Sequence, residues 1–156
     1  MYMHMSATIS RCSRHRYDLV RRWATGNGLC LFVMLNPSTA EGTRDDPTIR
    51  RCVGFAPGWR HDGVVLVNLF ALRTTNPAAL KLADDPVGPR NVDVIRFWAT
   101  RCCEIIFAWG NHGRLGNRDA EVEVDAGRRC QSKKPGTDHR RPSQASAVCP
   151  REFGAH

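Results

Sequence analysis

The chain has 156 residues, of which 42% are hydrophobic and 24% are charged. That length corresponds to one ordinary domain, and the composition excludes collagen-like, fibrous and wholly disordered chains. The sequence has no apolar run of about 18 residues that would span a bilayer, and its first residues lack the pattern of a signal peptide. We therefore expect a cytoplasmic protein with no membrane contact.

The formal net charge is +8, and most of it lies in a tail over residues 127–156. This tail holds seven of the 23 Lys and Arg residues but only two of the 15 acidic residues. Residues 131–144 have no apolar periodicity and contain two prolines, so we predict that the tail is irregular. Taken alone, such a basic segment is typical of an arm that contacts nucleic acid.

The cysteines are predicted to be reduced and structural. Their number is odd, no export signal precedes them, and several lie within apolar runs where a thiol behaves as a small buried hydrophobe. Cys102-Cys103 lacks the C-x-x-C spacing of a zinc ribbon, so we predict neither a metal nor a cofactor. The seven residues are Cys12, Cys30, Cys52, Cys102, Cys103, Cys130 and Cys149.

The domain itself is expected over residues 10–126, after a loose lead over residues 1–9. Over residues 10–23, the apolar residues Tyr17, Leu19, Val20 and Trp23 lie among arginines and favour an amphipathic edge strand or a hairpin arm. Seven consecutive apolar residues, Leu29 to Leu35, predict a strand that is buried on both faces.

Helices and buried strands alternate in the rest of the domain. Asp46 before Pro47 is the pattern of a helix N-cap followed by proline at the first helical position. The expected elements are a helix over residues 47–55, a strand over 64–70, a short helix after Pro77, a helix over 91–100 and a strand over 104–109. This order predicts an α/β fold with a parallel sheet, whose ligands bind beyond the carboxyl ends of the strands.

Three polar loops follow the three predicted buried strands, at residues 36–39, 68–75 and 110–113. For Asn36 two interpretations are open: its carboxamide orients a water or a base edge, or it satisfies its own turn. His112 is a candidate acid, base or hydrogen-bond donor, and the alternative is an ordinary surface histidine.

Phosphate is a plausible ligand beside these loops. Arg44, Arg50 and Arg51 surround the predicted helix start, whose free amides favour anions. Arg73 and Thr74 either hold a phosphate or substrate oxygen or stabilise their own loop through Ser/Thr turn bonds. Asp45 and Asp46 are candidate metal ligands, but helix capping explains Asp46 better.

Five ordered motifs then resemble a bacterial family catalogued as domain of unknown function 1643. They are Arg16-Tyr-x-Leu19, Met34-Leu-Asn-Pro-Ser-Thr-Ala40, Asp45-Asp-Pro-Thr-Ile-Arg-Arg-Cys52, Val67-Asn-Leu-Phe-Ala71 and Ala108-Trp-Gly-Asn-His-Gly113. The resemblance covers roughly residues 10–122. This family has no settled activity, so the resemblance implies none for the chain.

Leu35-Asn-Pro-Ser38 and Asn68-Leu-x-x-x-Arg-Thr-Thr-x-Pro77 are also similar to the uracil-DNA glycosylase superfamily, especially its mismatch-specific branch. The resemblance implies a three-layer α/β/α fold with a central, mostly parallel sheet. It also implies that Asn36 orients the water that attacks the sugar carbon, although no glycine precedes it as in the Gly-x-Asn-Pro motif. A flipped base needs an aromatic ring to stack on, for which Phe55, Phe70 and Trp109 are candidates.

The candidate residues fall into three roles. Asn36 and His112 are the catalytic candidates. The substrate-binding candidates are Asn68, Phe70, Arg73, Thr74, Trp109 and Asn111. The phosphate-binding candidates are Ser38, Thr39, Arg44 and Arg50.

The tail departs from the family that the motifs resemble. Relatives continue with a strand and a His-Pro-Leu-Tyr segment, and this chain has neither. The codons permitted for Gln144-Ala-Ser-Ala-Val-Cys149, read one base out of frame, include Arg-His-Pro-Leu-Tyr-Val. We therefore predict that the reading frame slipped between Val122 and Cys130.

Three hypotheses for the function follow. The first is a nucleobase- or DNA-processing hydrolase of the glycosylase type, with DNA or a nucleotide as its partner. The second is a non-catalytic module that binds a nucleotide or nucleic acid in the same cleft. The third is an inert product of the frame slip. The sequence leaves the oligomeric state open.

Overall fold

The computed structural model describes residues 1–39 and 42–131, so the tail predicted to be irregular lies outside it beyond Gln131. The strands are β1 (His4–Ile9), β2 (Arg16–Arg22), β3 (Leu29–Met34), β4 (Gly63–Asn68) and β5 (Glu104–Phe107). The helices are α1 (Pro47–Phe55), α2 (Ala79–Leu82), α3 (Asn91–Ala99) and α4 (Arg118–Gln131), and a 3-10 helix over Asn111–Asn117 precedes α4. None of the helices in this part of the chain is long and apolar enough to cross a bilayer.

The five strands form one sheet in the order β1-β2-β4-β3-β5. β3 pairs in parallel with β4 on one side and with β5 on the other. β2 pairs antiparallel with both β1 and β4. The α/β class and the parallel arrangement of the three buried strands are confirmed, but the sheet is mixed instead of mostly parallel.

The first part of the chain differs most from the sequence prediction. Residues 4–9 form β1 instead of a loose lead, because they pair antiparallel along the whole of β2. That pairing makes β2 an interior strand, and its residues are buried from Arg16 to Arg21. The prediction of a hairpin arm is confirmed, and that of an edge strand is wrong. At the other end, α4 continues to Gln131 and so includes the first five residues of the segment predicted to be irregular.

The side chains of β3 and β4 alternate between two core clusters, one on each face of the sheet. Because both faces are apolar, helices cover both of them. The α1 face carries the cluster of Leu19, Cys30, Phe32, Ile49, Cys52, Ala56, Val64, Leu66 and Ile106. The α3/α4 face carries a larger cluster that includes Leu31, Val33, Val65, Val67, Ile95, Ala99, Val122 and Ala126. Strands with continuous apolar sequence are therefore buried on both sides, as predicted.

The prediction of reduced, structural cysteines is confirmed for the five whose side chains the structure describes. None of the five forms a disulfide within the described part of the chain, and Cys30, Cys52 and Cys102 are buried. Cys30 and Cys52 pack on the α1 face, and Cys102 packs on the α3/α4 face.

A fully buried arginine ties the interior strand β2 to the segment before α1. Arg21 donates from Nε to Asp45 Oδ1 over 2.8 Å and from Nη2 to the carbonyl oxygen of Gly42 over 2.5 Å. Its Nη1 donates to the Val20 carbonyl oxygen. The Tyr2 hydroxyl donates to the second oxygen of Asp45. The pKa of Tyr2 is raised to about 12, first because the hydroxyl is partly removed from water and second because of this hydrogen bond. The buried charge is thus paired and all of its donor groups are directed at acceptors.

We expect Arg21→Met to lower the free energy of unfolding by about 3–5 kcal/mol, because it leaves Asp45 without its buried partner. Arg22→Met is the matched control, since Arg22 is half-buried and, among the described residues, its side chain donates one hydrogen bond, from Nε to the Ala24 carbonyl oxygen. The control is expected to lose about 1 kcal/mol. Urea unfolding of both variants measures the difference, and equal losses would contradict the role assigned to Arg21.

Candidate functional site

The loops that follow β3 and β4 run side by side beyond the sheet. Three backbone hydrogen bonds join residues 34–37 to residues 69–74. They run from Leu69 N to Met34 O (2.8 Å), from Phe70 N to Leu35 O (3.0 Å) and from Thr74 N to Pro37 O (3.1 Å). Two of the three loops that the sequence predicted as a site are therefore held together by backbone hydrogen bonds.

Asn36 lies at this junction, half-buried. Its Nδ2 donates to the carbonyl oxygens of Thr74 and Pro37, over 2.7 and 3.1 Å. Two carbonyl acceptors on one side fix which end of the carboxamide is nitrogen, and the oxygen accepts no hydrogen bond from a described residue. The turn interpretation and the ligand interpretation are therefore compatible, because the nitrogen stabilises the loop while the oxygen stays available.

Asn68 is the second amide at the same edge of the sheet. It pairs in register with Met34, whose side chain packs on the α1 face, and only 3% of Asn68 is exposed. Its carboxamide makes no hydrogen bond to any described residue, whereas buried amides ordinarily have partners. Asn68 therefore presents a largely desolvated donor and acceptor for a ligand.

Two buried side chains fix the end of β4. Asn91 donates from Nδ2 to the carbonyl oxygens of Asn68 and Leu69, over 2.9 and 3.0 Å. Arg118 donates from Nε to the Leu69 carbonyl oxygen over 3.0 Å. These bonds anchor the strand end to the first residues of α3 and α4 and position the amide of Asn68.

Asp46 caps α1 as predicted. Its Oδ1 accepts from the backbone N–H of Ile49 over 2.8 Å, and its Oδ2 accepts from the Ser38 hydroxyl over 2.7 Å. Ser38 is therefore bound to the cap and not directed at the free amides of the helix. The cap fixes the start of α1 relative to the loop that contains Asn36.

Arg16 is a site residue to which the sequence analysis gave no role. It is 4% exposed, and its burial lowers the pKa of its guanidinium to about 10, against the opposing effect of nearby Asp46. A pKa of about 10 still leaves Arg16 protonated at neutral pH. The candidate site therefore contains a buried positive charge beside the start of α1.

A break in strand pairing directs Arg16 to this place. Thr8 pairs with Asp18 and Ile9 pairs with Arg16, so the pairing skips Tyr17. Such a bulge changes the face to which the side chain next to the unpaired residue points, here that of Arg16. Asp18 accepts a hydrogen bond from Trp98 of α3, whereas Arg16 lies near Asp46 at the start of α1.

Arg73 and Thr74 stabilise their own surroundings, which was the alternative interpretation of their sequence. Arg73 donates to the carbonyl oxygens of Ser13 and Thr39, and its Nε is buried without a partner in the described part of the chain. The Thr74 hydroxyl exchanges hydrogen bonds with the backbone of Asn76 in a turn. Thr39 itself is exposed and contributes its backbone carbonyl.

The three candidate aromatic rings are not presented to the two amides. Phe70 is 3% exposed within the α3/α4-face cluster. Trp109 packs against that cluster and against Phe107, with ring centroids 4.9 Å apart. Phe55 ends α1, roughly 12 Å of helix away from its capped start. The expectation that Phe70 stacks on a base is wrong for this conformation, because its ring is in the core.

The remaining candidates are exposed. Asn111 and His112 open the 3-10 helix after β5 and make no side-chain hydrogen bond to a described residue. Arg44 and Arg50 are exposed on either side of the α1 start. Their positions leave them free to contact a ligand from solvent, but the structure does not bring them into contact with Asn36.

Residues 16–142 match the model of a family described as "Protein of unknown function (DUF1643)". The matched residues contain all five ordered motifs, and they extend beyond the interval from Val122 to Cys130. No curated protein and no solved structure matches the chain.

Removal of the Asp46 side chain by Asp46→Ala is expected to lower the free energy of unfolding by about 1 kcal/mol, because an N-cap hydrogen bond is lost. Asp84→Ala provides the control, since Asp84 is an exposed loop residue. Thermal unfolding followed by circular dichroism would measure both. Equal stability of the two variants would show that the cap does not contribute to the free energy of unfolding.

Proposed function

The chain belongs to the DUF1643 family, and we propose that it hydrolyses N-glycosidic bonds in a nucleotide or in DNA. The observation that carries this proposal is the arrangement of Asn36. Its amide nitrogen is held by two carbonyl groups, and its oxygen accepts no hydrogen bond from a described residue at the carboxyl edge of the parallel strands. A carboxamide held in this way is suited to orienting a water molecule.

In the proposed reaction the oxygen of a water bonds to the sugar C1′ as the bond from C1′ to the base nitrogen breaks. The departing base takes the bonding electron pair, and the water proton is passed on to the base or to solvent. The sugar becomes cationic on the way, so positioning of the water contributes more than a strong base. Asn36 accepts a hydrogen bond from that water, and His112 supplies a donor from the exposed loop.

Binding of the substrate is assigned to the groups around Asn36. The carboxamide of Asn68 is suited to bonding a base edge, and the buried charge of Arg16 favours a phosphate, which exposed Arg44 and Arg50 approach from solvent. Helices on both faces of the sheet support the proposed three-layer fold of the uracil-DNA glycosylase type.

A second candidate function is a non-catalytic module that binds a nucleotide or nucleic acid in the same cleft. It is favoured by the position of the rings: Phe70 is in the core, and Trp109 packs on Phe107 and on Gly113, where a Cβ would collide with the indole. A glycosylase needs a ring on which the flipped base stacks. A module that only binds its ligand does not need such a ring.

Base excision from labelled single- and double-stranded oligonucleotides carrying uracil or mismatched bases tests the two functions. We expect excision by the protein, and a loss of about 10²–10⁴-fold in turnover for Asn36→Ala with binding retained. Asn76→Ala is the matched control, because Asn76 is an exposed asparagine whose Oδ1 accepts from its own turn at Ala78 N. Thermal unfolding of each variant establishes that it is folded.

The outcomes separate the functions. Binding without excision by the folded protein would favour the second function and exclude the first for these substrates. Equal turnover of Asn36→Ala and Asn76→Ala would remove Asn36 from the mechanism. Neither binding nor excision would favour an inert product.

The frame slip between Val122 and Cys130 stays a prediction, because residues 132–156 lie outside the described part of the chain. Resequencing the gene tests it, together with expression of a frame-restored chain. We expect the restored frame to encode a His-Pro-Leu-Tyr segment and the restored protein to excise bases faster than the chain as given. A shifted frame without that segment would refute the slip.

A further inference from the structure

Three residues with metal-binding side chains meet at the end of the sheet opposite to Asn36. Cys30 lies near the start of β3 and pairs in register with Glu104, the first residue of β5. His61 lies two residues before β4, whose first residue pairs with Leu29. Two strands and the residues that lead into a third therefore hold these three residues. One donor atom from each, the sulfur, a ring nitrogen and a carboxylate oxygen, lies within 4.8 Å of the other two.

His61 supplies the nitrogen donor through Nε2. The residue is 3% exposed, and its Nε2 lies 2.8 Å from Glu104 Oε2. A ring nitrogen and a carboxylate oxygen this close need a proton or a metal ion between them. Nδ1, on the other side of the ring, is buried and has no hydrogen-bond partner among the described residues. In the metal-bound form Nδ1 carries the ring proton and Nε2 offers its lone pair to the metal.

Cys30 contributes the donor that selects the metal. Its side chain is completely buried on the α1 face, beside the imidazole and the carboxylate. A sulfur, a nitrogen and an oxygen donor together suit Zn²⁺ better than Mg²⁺ or Ca²⁺, which prefer oxygen alone. The Glu104 side chain is 33% exposed, so solvent reaches the cluster from that side and would supply a water as fourth ligand.

We propose that Cys30, His61 and Glu104 form a zinc site. Zinc bonds of about 2.0–2.3 Å place tetrahedral ligands about 3–4 Å apart, so donors up to 4.8 Å apart approach by about 1 Å on binding, while Nε2 and Oε2, 2.8 Å apart, separate slightly. The partly exposed Glu104 side chain supplies most of that movement. The thiol proton of Cys30 is released to solvent as the sulfur bonds to the metal.

This site is independent of the proposed glycosidic activity. It lies at the amino ends of the parallel strands, whereas Asn36 and Asn68 lie at their carboxyl ends. A zinc ion here would join β3, β4 and β5 across their starts. Its loss would therefore show in stability and metal content, whatever the substrate of the other site.

Cobalt titration of the metal-depleted full chain tests the proposal, because Co²⁺ replaces Zn²⁺ and absorbs in the near ultraviolet when a thiolate binds it. We expect one equivalent of Co²⁺ to bind with a sulfur-to-cobalt band, and Zn²⁺ to displace it. Cys30→Ala is expected to lose the band. Cys102→Ala, the same change at a cysteine equally buried on the α3/α4 face, is expected to keep it.

Glu104→Gln extends the test with a milder change, because Glu104 is partly exposed and its shape is conserved. We expect its apparent Co²⁺ affinity to fall at least about tenfold while the band remains. Persistence of the full band and affinity in both Cys30→Ala and Glu104→Gln would overturn the site, since Co²⁺ would then bind at exposed cysteines.

X-ray absorption of the zinc-loaded wild-type chain needs no variant and covers the case in which Cys30→Ala does not fold. One sulfur neighbour at about 2.3 Å with nitrogen or oxygen neighbours near 2.0 Å is expected. A zinc environment without sulfur, or with two or more sulfurs, would overturn the proposal. So would a chain that binds no zinc at a concentration tenfold above its own.

Discussion

The position of the whole candidate site depends on the buried guanidinium of Arg21. It bonds to Asp45 and to the backbone of Gly42, so the segment between β3 and α1 is tied to β2 as well as to its own flanking elements. Asp46 follows Asp45 directly, and its cap and its bond to Ser38 form in the place that this tie defines. The charge is desolvated, which makes the arrangement costly to break and leaves few alternative conformations for the segment.

The candidate site consists of the polar groups that the loops do not use in their own hydrogen bonds. Arg73, Thr74 and the nitrogen of Asn36 are all used in bonds to loop carbonyl groups. No described residue bonds to the oxygen of Asn36 or to the carboxamide of Asn68, and the proposed function assigns both groups to the ligand. Groups that are fixed before the ligand arrives lose little entropy on binding, which favours a positioned water over a flexible catalytic base.

The sequence predicted those features whose signal is local. Buried β3 and β4 show as apolar runs, and the α1 cap shows as Asp46 before Pro47. β1 was missed although Met5, Ala7 and Ile9 alternate with polar residues, because so short an alternation is a weak signal and the pairing with β2 is not visible in the sequence. Arg16 and the zinc ligands were missed for a related reason, since the first depends on a break in pairing and the second on three residues distant in sequence.

The skipped pairing at Tyr17 makes the relative lengths of β1 and β2, and not only their residue types, a determinant of the site. One residue inserted between Thr8 and Ile9 would give Tyr17 a partner, restore regular alternation and turn Arg16 toward the α3/α4 face, away from Asp46. A relative with such an insertion would therefore lack the buried cation beside the start of α1, whereas a relative with the bulge would keep it.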